Sequence, residues 1–68
     1  MSEVVSDPGI LGGMPVFAGT RVPVKNLFDA LIAGDSVAEF REDFPTVTVE
    51  QIRAVLQAAE VAIEAQAA

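Results

Sequence analysis

The chain has 68 residues, 51% of them hydrophobic, with neither cysteine nor histidine. Disulfides and thiolate or imidazole zinc sites are therefore excluded, although a chain this short buries only about 60% of the surface its unfolded form exposes. Ten carboxylates against Arg21, Lys25, Arg41 and Arg53 leave a net charge of −6, which argues against tight autonomous binding to nucleic acid, where cations must displace counterions.

Small domains that lack core recover cover through disulfides, metals or oligomers. Only the last route is open here, so a homo-oligomer, dimeric or higher, is expected. No apolar run approaches the roughly 18 residues of a membrane span. The opening MSEVVSDPG is acidic and lacks the basic start of a signal peptide, so a cytoplasmic location is expected.

In chain order, residues 1–22 read as a β-hairpin arm. Short β-type pairs, Val4-Val5, Ile10-Leu11 and Val16-Phe17, are separated by turn chemistry at Asp7-Pro8-Gly9 and Gly12-Gly13, the latter a candidate two-residue hairpin loop. Two or three such strands are not stable alone. They are expected both to pack on the rest of the chain and to pair with another copy, which makes Val4, Val5, Ile10, Leu11, Val16 and Phe17 the candidate self-association surface.

From residue 23 to 68 the period is helical. Pro23 suits a first helical position. Val24, Leu27, Phe28, Leu31 and Ile32 form one apolar stripe, and Gly34 fits the left-handed residue after a helix, so the first helix is expected at about 23–33. Ser36-Val37-Ala38-Glu39 is a capping box that opens a short second helix, about 36–43, which Pro45 ends. Val37 and Phe40 should face inward, with Phe44 closing the turn. Thr48-Val49-Glu50-Gln51 is a second capping box, and a third helix runs from it to about Ala65. Its main stripe is Ile52, Val55, Leu56, Ala59 and Ile63. A strip of smaller residues, Ala54, Ala58, Val61, Ala62 and Ala65, lies beside it. At 1.5 Å per residue this helix reaches about 27 Å against roughly 16 Å for the first, so its distal half should lack partners within the chain.

Three helices with a short Phe44-Pro45-Thr46-Val47 turn match a helix-turn-helix in size and order. If DNA were bound, Thr46, Thr48 and Gln51 would approach the bases, with Arg41 and Arg53 on phosphates. The plainer reading makes Thr48 and Gln51 a helix cap and lets the arginines balance Glu39, Glu42 and Glu50. Any DNA contact by the isolated chain is expected to be weak. Arg21, a cation before a helix start, should have either a carboxylate partner such as Asp7 or Asp43, or a phosphate. Catalysis and cofactors are not expected: the acids are scattered, no cysteine or histidine can act as nucleophile or base, and Gly12-Gly13-Met14-Pro15 lacks the lysine of a phosphate loop. The Glu39, Glu42 and Asp43 cluster reads as a solvated helix face before it reads as a cation site.

Asp7-Pro8, Gly12-Gly13, Pro15, Gly19-Thr20-Arg21, Pro23-Val24, Gly34, Ser36, Phe44-Pro45, Thr48 and Glu50 together resemble the prokaryotic domain-of-unknown-function family 433, over about Val5 to Ala59. Its members look like VapB-type antitoxins. The resemblance implies a homeodomain-like or winged helix-turn-helix bundle preceded by a β-hairpin, and a type II toxin–antitoxin role beside a PIN-like ribonuclease toxin. It carries over by position only the signature Gly19, Thr20, Arg21, Pro23 and Val24, whose role looks structural. The chain departs from the family in having Phe44 where tyrosine is usual. It is also acidic and alanine-rich, which weighs against operator binding more than against toxin neutralisation. Three functions compete: an antitoxin-like protein that offers Glu60, Val61, Ile63 and Glu64 to a basic nuclease groove, a DNA-binding regulator, and a non-catalytic scaffold subunit.

Overall fold

The structure, a computed structural model, describes residues 2–67. Met1 and Ala68, the outer bounds of the expected arm and bundle, lie outside the described residues. An N-terminal hairpin precedes three helices, as the sequence suggests. Strand β1 (Val4–Val5) pairs antiparallel with β2 (Val16–Phe17), Val4 opposite Phe17 and Val5 opposite Val16. The connection between them is not a tight loop. Asp7 closes its own turn by accepting from the Gly9 amide at 2.8 Å. Ile10-Leu11 is no strand: Leu11–Gly13 form a single 3₁₀ turn, with Leu11, Gly12 and Gly13 all at positive φ. The paired glycines impose a left-handed local path that an extended Leu11 could not enter.

The Gly19-to-Val24 signature returns the chain along the other side of β2. Gly19, at φ +76, makes the reversal. The Thr20 hydroxyl donates to the Phe17 carbonyl at 2.8 Å and accepts from the Val22 amide at 3.0 Å. The Phe17 amide then donates to the Val22 carbonyl, Val16 bridges to Pro23, and the Val24 amide donates to the Pro15 carbonyl. These bonds give the signature a stitching role. Pro23 is accordingly the residue before the helix rather than its first position, with extended ψ of 138°.

Helix α1 (Val24–Ile32) buries Leu27, with Val24, Phe28, Ala30 and Leu31 packed against the core. Ile32, expected on the stripe, is 83% exposed; it lies about 100° round the helix from Leu31, off the covered face. After Ala33 the Gly34 amide donates to Leu31 and the Asp35 amide to Ala30, the paired bonds that satisfy the last carbonyls of a helix.

Helix α2 (Val37–Asp43) begins with the Ser36 capping box, complete in both directions: the Glu39 amide donates to the Ser36 hydroxyl, and the Ser36 amide to the Glu39 carboxylate. Chiefly that backbone bond, with help from the hydroxyl, holds the Glu39 carboxyl below its ordinary pKa. Helix α3 (Val49–Gln66) opens on the equivalent box between Thr48 and Gln51. Phe17, Leu27, Phe40, Val47, Ile52 and Val55 form the buried core, so the arm, all three helices and the α2–α3 turn each contribute to it. Phe40 stands between Phe17 and Phe44, with ring centroids 6.3 and 5.0 Å away at tilted angles, the arrangement that aromatic quadrupoles favour. No helix among the described residues is long and apolar enough to cross a membrane.

Candidate functional site

The start of α3, where a base-reading surface would lie, is largely committed to holding the fold together. Gln51 uses both ends of its amide. Its oxygen accepts from the Thr48 amide at 3.0 Å, and its nitrogen donates to the Ala18 carbonyl at 2.9 Å, tying α3 to the turn after β2. Thr48 accepts from the Gln51 amide at 3.1 Å. The Arg41 Nε donates to the Val47 carbonyl at 2.9 Å and bridges the α2–α3 turn. Of the five residues suggested for DNA contact, Arg41, Thr48 and Gln51 are held in place by internal bonds, which use the Arg41 Nε, a lone pair of the Thr48 hydroxyl and both ends of the Gln51 amide. Only Thr46 and Arg53 are exposed without such an engagement among the described residues.

The N-terminal surface also contracts relative to expectation. Val16 and Phe17 are fully buried within the one chain, and β2 has β1 on one side and the Val22–Val24 segment on the other. Neither residue is available to a second copy. Val4 packs against the core and Ile10 is partly covered, which leaves Val5 and Leu11 exposed from the suggested set.

Arg21 is exposed, and neither suggested carboxylate pairs with it; the ion pair found among the described residues is Lys25–Asp29, at 2.6 Å across one turn of α1. Asp7 is already engaged in its own turn. Among the described residues no three acidic side chains converge as a cation site would require, so Glu39, Glu42 and Asp43 lie on a solvated helix face.

Distal α3 is the largest uncommitted element. Ile52 and Val55 are buried and Leu56 and Ala59 partly so, but every residue from Glu60 to Ala67 is exposed. Val61 and Ile63 stand 64% and 67% open. These two do not share a face. At about 100° per residue, the order around the helix is Ile63, Glu60, Glu64, Val61, spread over about 160°. Ile63 continues the core stripe past the end of the core. Val61 belongs instead with Ala54, Ala58 and Ala65, and the two glutamates lie between. The four residues suggested for one partner groove therefore form two surfaces.

Sequence reasoning missed one core residue, Val47. It lies in the turn between α2 and α3, yet it is fully buried. Its carbonyl is the Arg41 acceptor, and nothing in the local pattern marks it.

Comparison with known proteins places the chain among relatives whose functions are undescribed. "Uncharacterized protein y4eO" of Sinorhizobium fredii is 48% identical over 50 residues, covering 74% of this chain and 23% of that protein. The chain thus spans under a quarter of that relative's length. No solved structure matches it. Residues 4–58 match the family described as "Protein of unknown function (DUF433)", a span that takes in the whole hairpin, the stitching signature, both capping boxes and the buried half of α3, and the chain belongs to that family.

Proposed function

We propose that this chain is a non-catalytic, antitoxin-like interaction domain that docks distal α3 into the positively charged groove of an RNA-cleaving partner of the PIN-like class, in the cytosol. One observation carries the reading: α3 outruns the core and exposes Ile63 beside Glu60 and Glu64, with no cation after Arg53. A nuclease that binds RNA presents cationic walls to its phosphates. An acidic helix face with an apolar centre complements such a groove in both charge and greasiness. The carboxylates would compete for the cations that otherwise hold the RNA, and Ile63 would lose its water on docking. Operator binding is not part of this role, because ten carboxylates against four cations repel a phosphate backbone.

Co-expression with a PIN-like nuclease encoded beside this chain in its genome tests the reading. The expected result is rescue of growth and co-purification, with both lost in the Glu60→Lys, Ile63→Asp variant while its helical content stays unchanged. A genomic neighbourhood without a nuclease, failure to co-purify, or rescue that survives the double substitution would each end it.

A further inference from the structure

Helices α1 and α3 are finished differently. α1 is laced by Lys25 and Asp29, opposite charges four residues apart with 2.6 Å between their charged atoms. Its last carbonyls are taken up around Gly34, where the Gly34 amide donates to Leu31 and the Asp35 amide to Ala30. α3 has neither device at its end. Its last turn holds no basic residue, and Ala67, the residue after it, is extended rather than left-handed.

The charges on this end also oppose the helix. Glu60 and Glu64 are four residues apart, so they lie one turn and about 40° from each other on its surface. Like charges at that spacing weaken a helix. Glu64 in addition sits in the last turn, where the helix dipole is negative and repels a carboxylate. Arg53, the nearest cation along the helix, is seven residues before Glu60, about 10 Å away. Among the described residues none of the three has an ion-pair partner. Every residue from Glu60 to Ala67 is exposed, and none joins the core or the apolar side chains packed around it. Only the helix propensity of alanine and glutamate stands on the other side. With propensity for it, charge against it and no tertiary cover, the end of α3 lies near balance between helix and coil.

We infer that Glu60 and Glu64 make the last two turns of α3 a charge-gated helix, which opens readily in the free chain and closes when the repulsion between its carboxylates is relieved. A positively charged surface supplies that relief, because each carboxylate then gains an attraction in place of their mutual repulsion. The length of ordered helix beyond the core is thereby tied to the charge around it, while residues 49–59 stay folded against the other helices. The charges of this chain alone set the device. Failure of a nuclease to co-purify would leave it untouched.

Amide hydrogen exchange in the full chain reads the opening residue by residue. Amides of residues 61–66 should be at least about tenfold less protected than those of Ile52 to Leu56. Glu64→Lys turns the repelling pair into an attracting one in the favourable order and puts a cation at the negative end of the dipole. Protection at residues 61–66 should rise about fivefold. Glu60→Lys leaves Glu64 against the dipole with the charges in the poorer order, and the rise should not exceed about twofold. Octa-arginine at low salt should raise protection there in the unsubstituted chain and leave a Glu60→Gln, Glu64→Gln chain unchanged. Equal protection along all of α3, indifference to Glu64→Lys, a larger response to Glu60→Lys, or no response to octa-arginine would each overturn the inference. Both substituted positions are exposed, and unchanged exchange at Ile52 verifies that the variants fold.

Discussion

The first eleven residues of α3 and its last seven follow the same helical pattern in different surroundings. From Val49 to Ala59 the stripe of Ile52, Val55 and Leu56 meets Phe17, Leu27 and Phe40 and holds the bundle together. From Glu60 onward the helix continues on intrinsic propensity, since alanine, glutamate and glutamine are among the better helix formers, and Ile63 repeats the stripe with nothing against it. Apolar periodicity thus specifies a face. What covers that face depends on the length of neighbouring elements, and α1, with nine residues, is half as long as α3, with eighteen.

The sharpest way to break this comparison is to cut the two stripes equally. Ile52→Ala should cost about 2–5 kcal/mol in denaturant unfolding, because it leaves a cavity among fully buried neighbours. In a domain this small that is a large part of total stability. Gln51→Ala removes both the reciprocal half of the cap and the bond to Ala18, and about 1–2 kcal/mol should be lost. A loss confined to a few tenths would mean that the arm is not held by this amide.

Glu39→Gln tests the start of α2 through pH. The carboxyl's pKa is lowered on folding by the Ser36 bonds, so its contribution is present above the unfolded pKa and lost as pH falls through the folded one. The wild-type midpoint should therefore decline more steeply than that of Glu39→Gln on acidification below the ordinary carboxylate range. Parallel profiles would count against the capping role. Smallest of all, Ile63→Ala should stay within about 0.5 kcal/mol; a cost approaching that of Ile52→Ala would show that distal α3 is covered after all.

Local chemistry was the legible part of this sequence. Ser36 with Glu39 and Thr48 with Gln51 announce the helix starts, because each box needs only residues three apart. Gly34 announces the end of α1 for a similar reason. Contacts between distant segments left no such trace. Gln51 reaches Ala18 across 33 residues, Arg41 closes on Val47 from the preceding helix, and Val16 and Phe17 vanish into the core because the Val22–Val24 return covers their other edge. Ile10-Leu11 looked like a strand since its two apolar residues carry no sign of the left-handed turn that Gly12 and Gly13 force on them. At the candidate surfaces the residue types were readable, but their division between two sides of α3 follows only from knowing where the core stops.

Gln51 carries one last implication. Glutamate and glutamine are equally good at the third position of a capping box, where only an oxygen is asked for. Here the far end of the side chain must also donate a hydrogen bond to the Ala18 carbonyl in the arm, and a carboxylate has no hydrogen to donate. Replacing that one –NH₂ with an oxygen would leave the helix start intact and set two lone pairs against each other at Ala18, so a single atom distinguishes a helix that is merely begun from one that is fastened down.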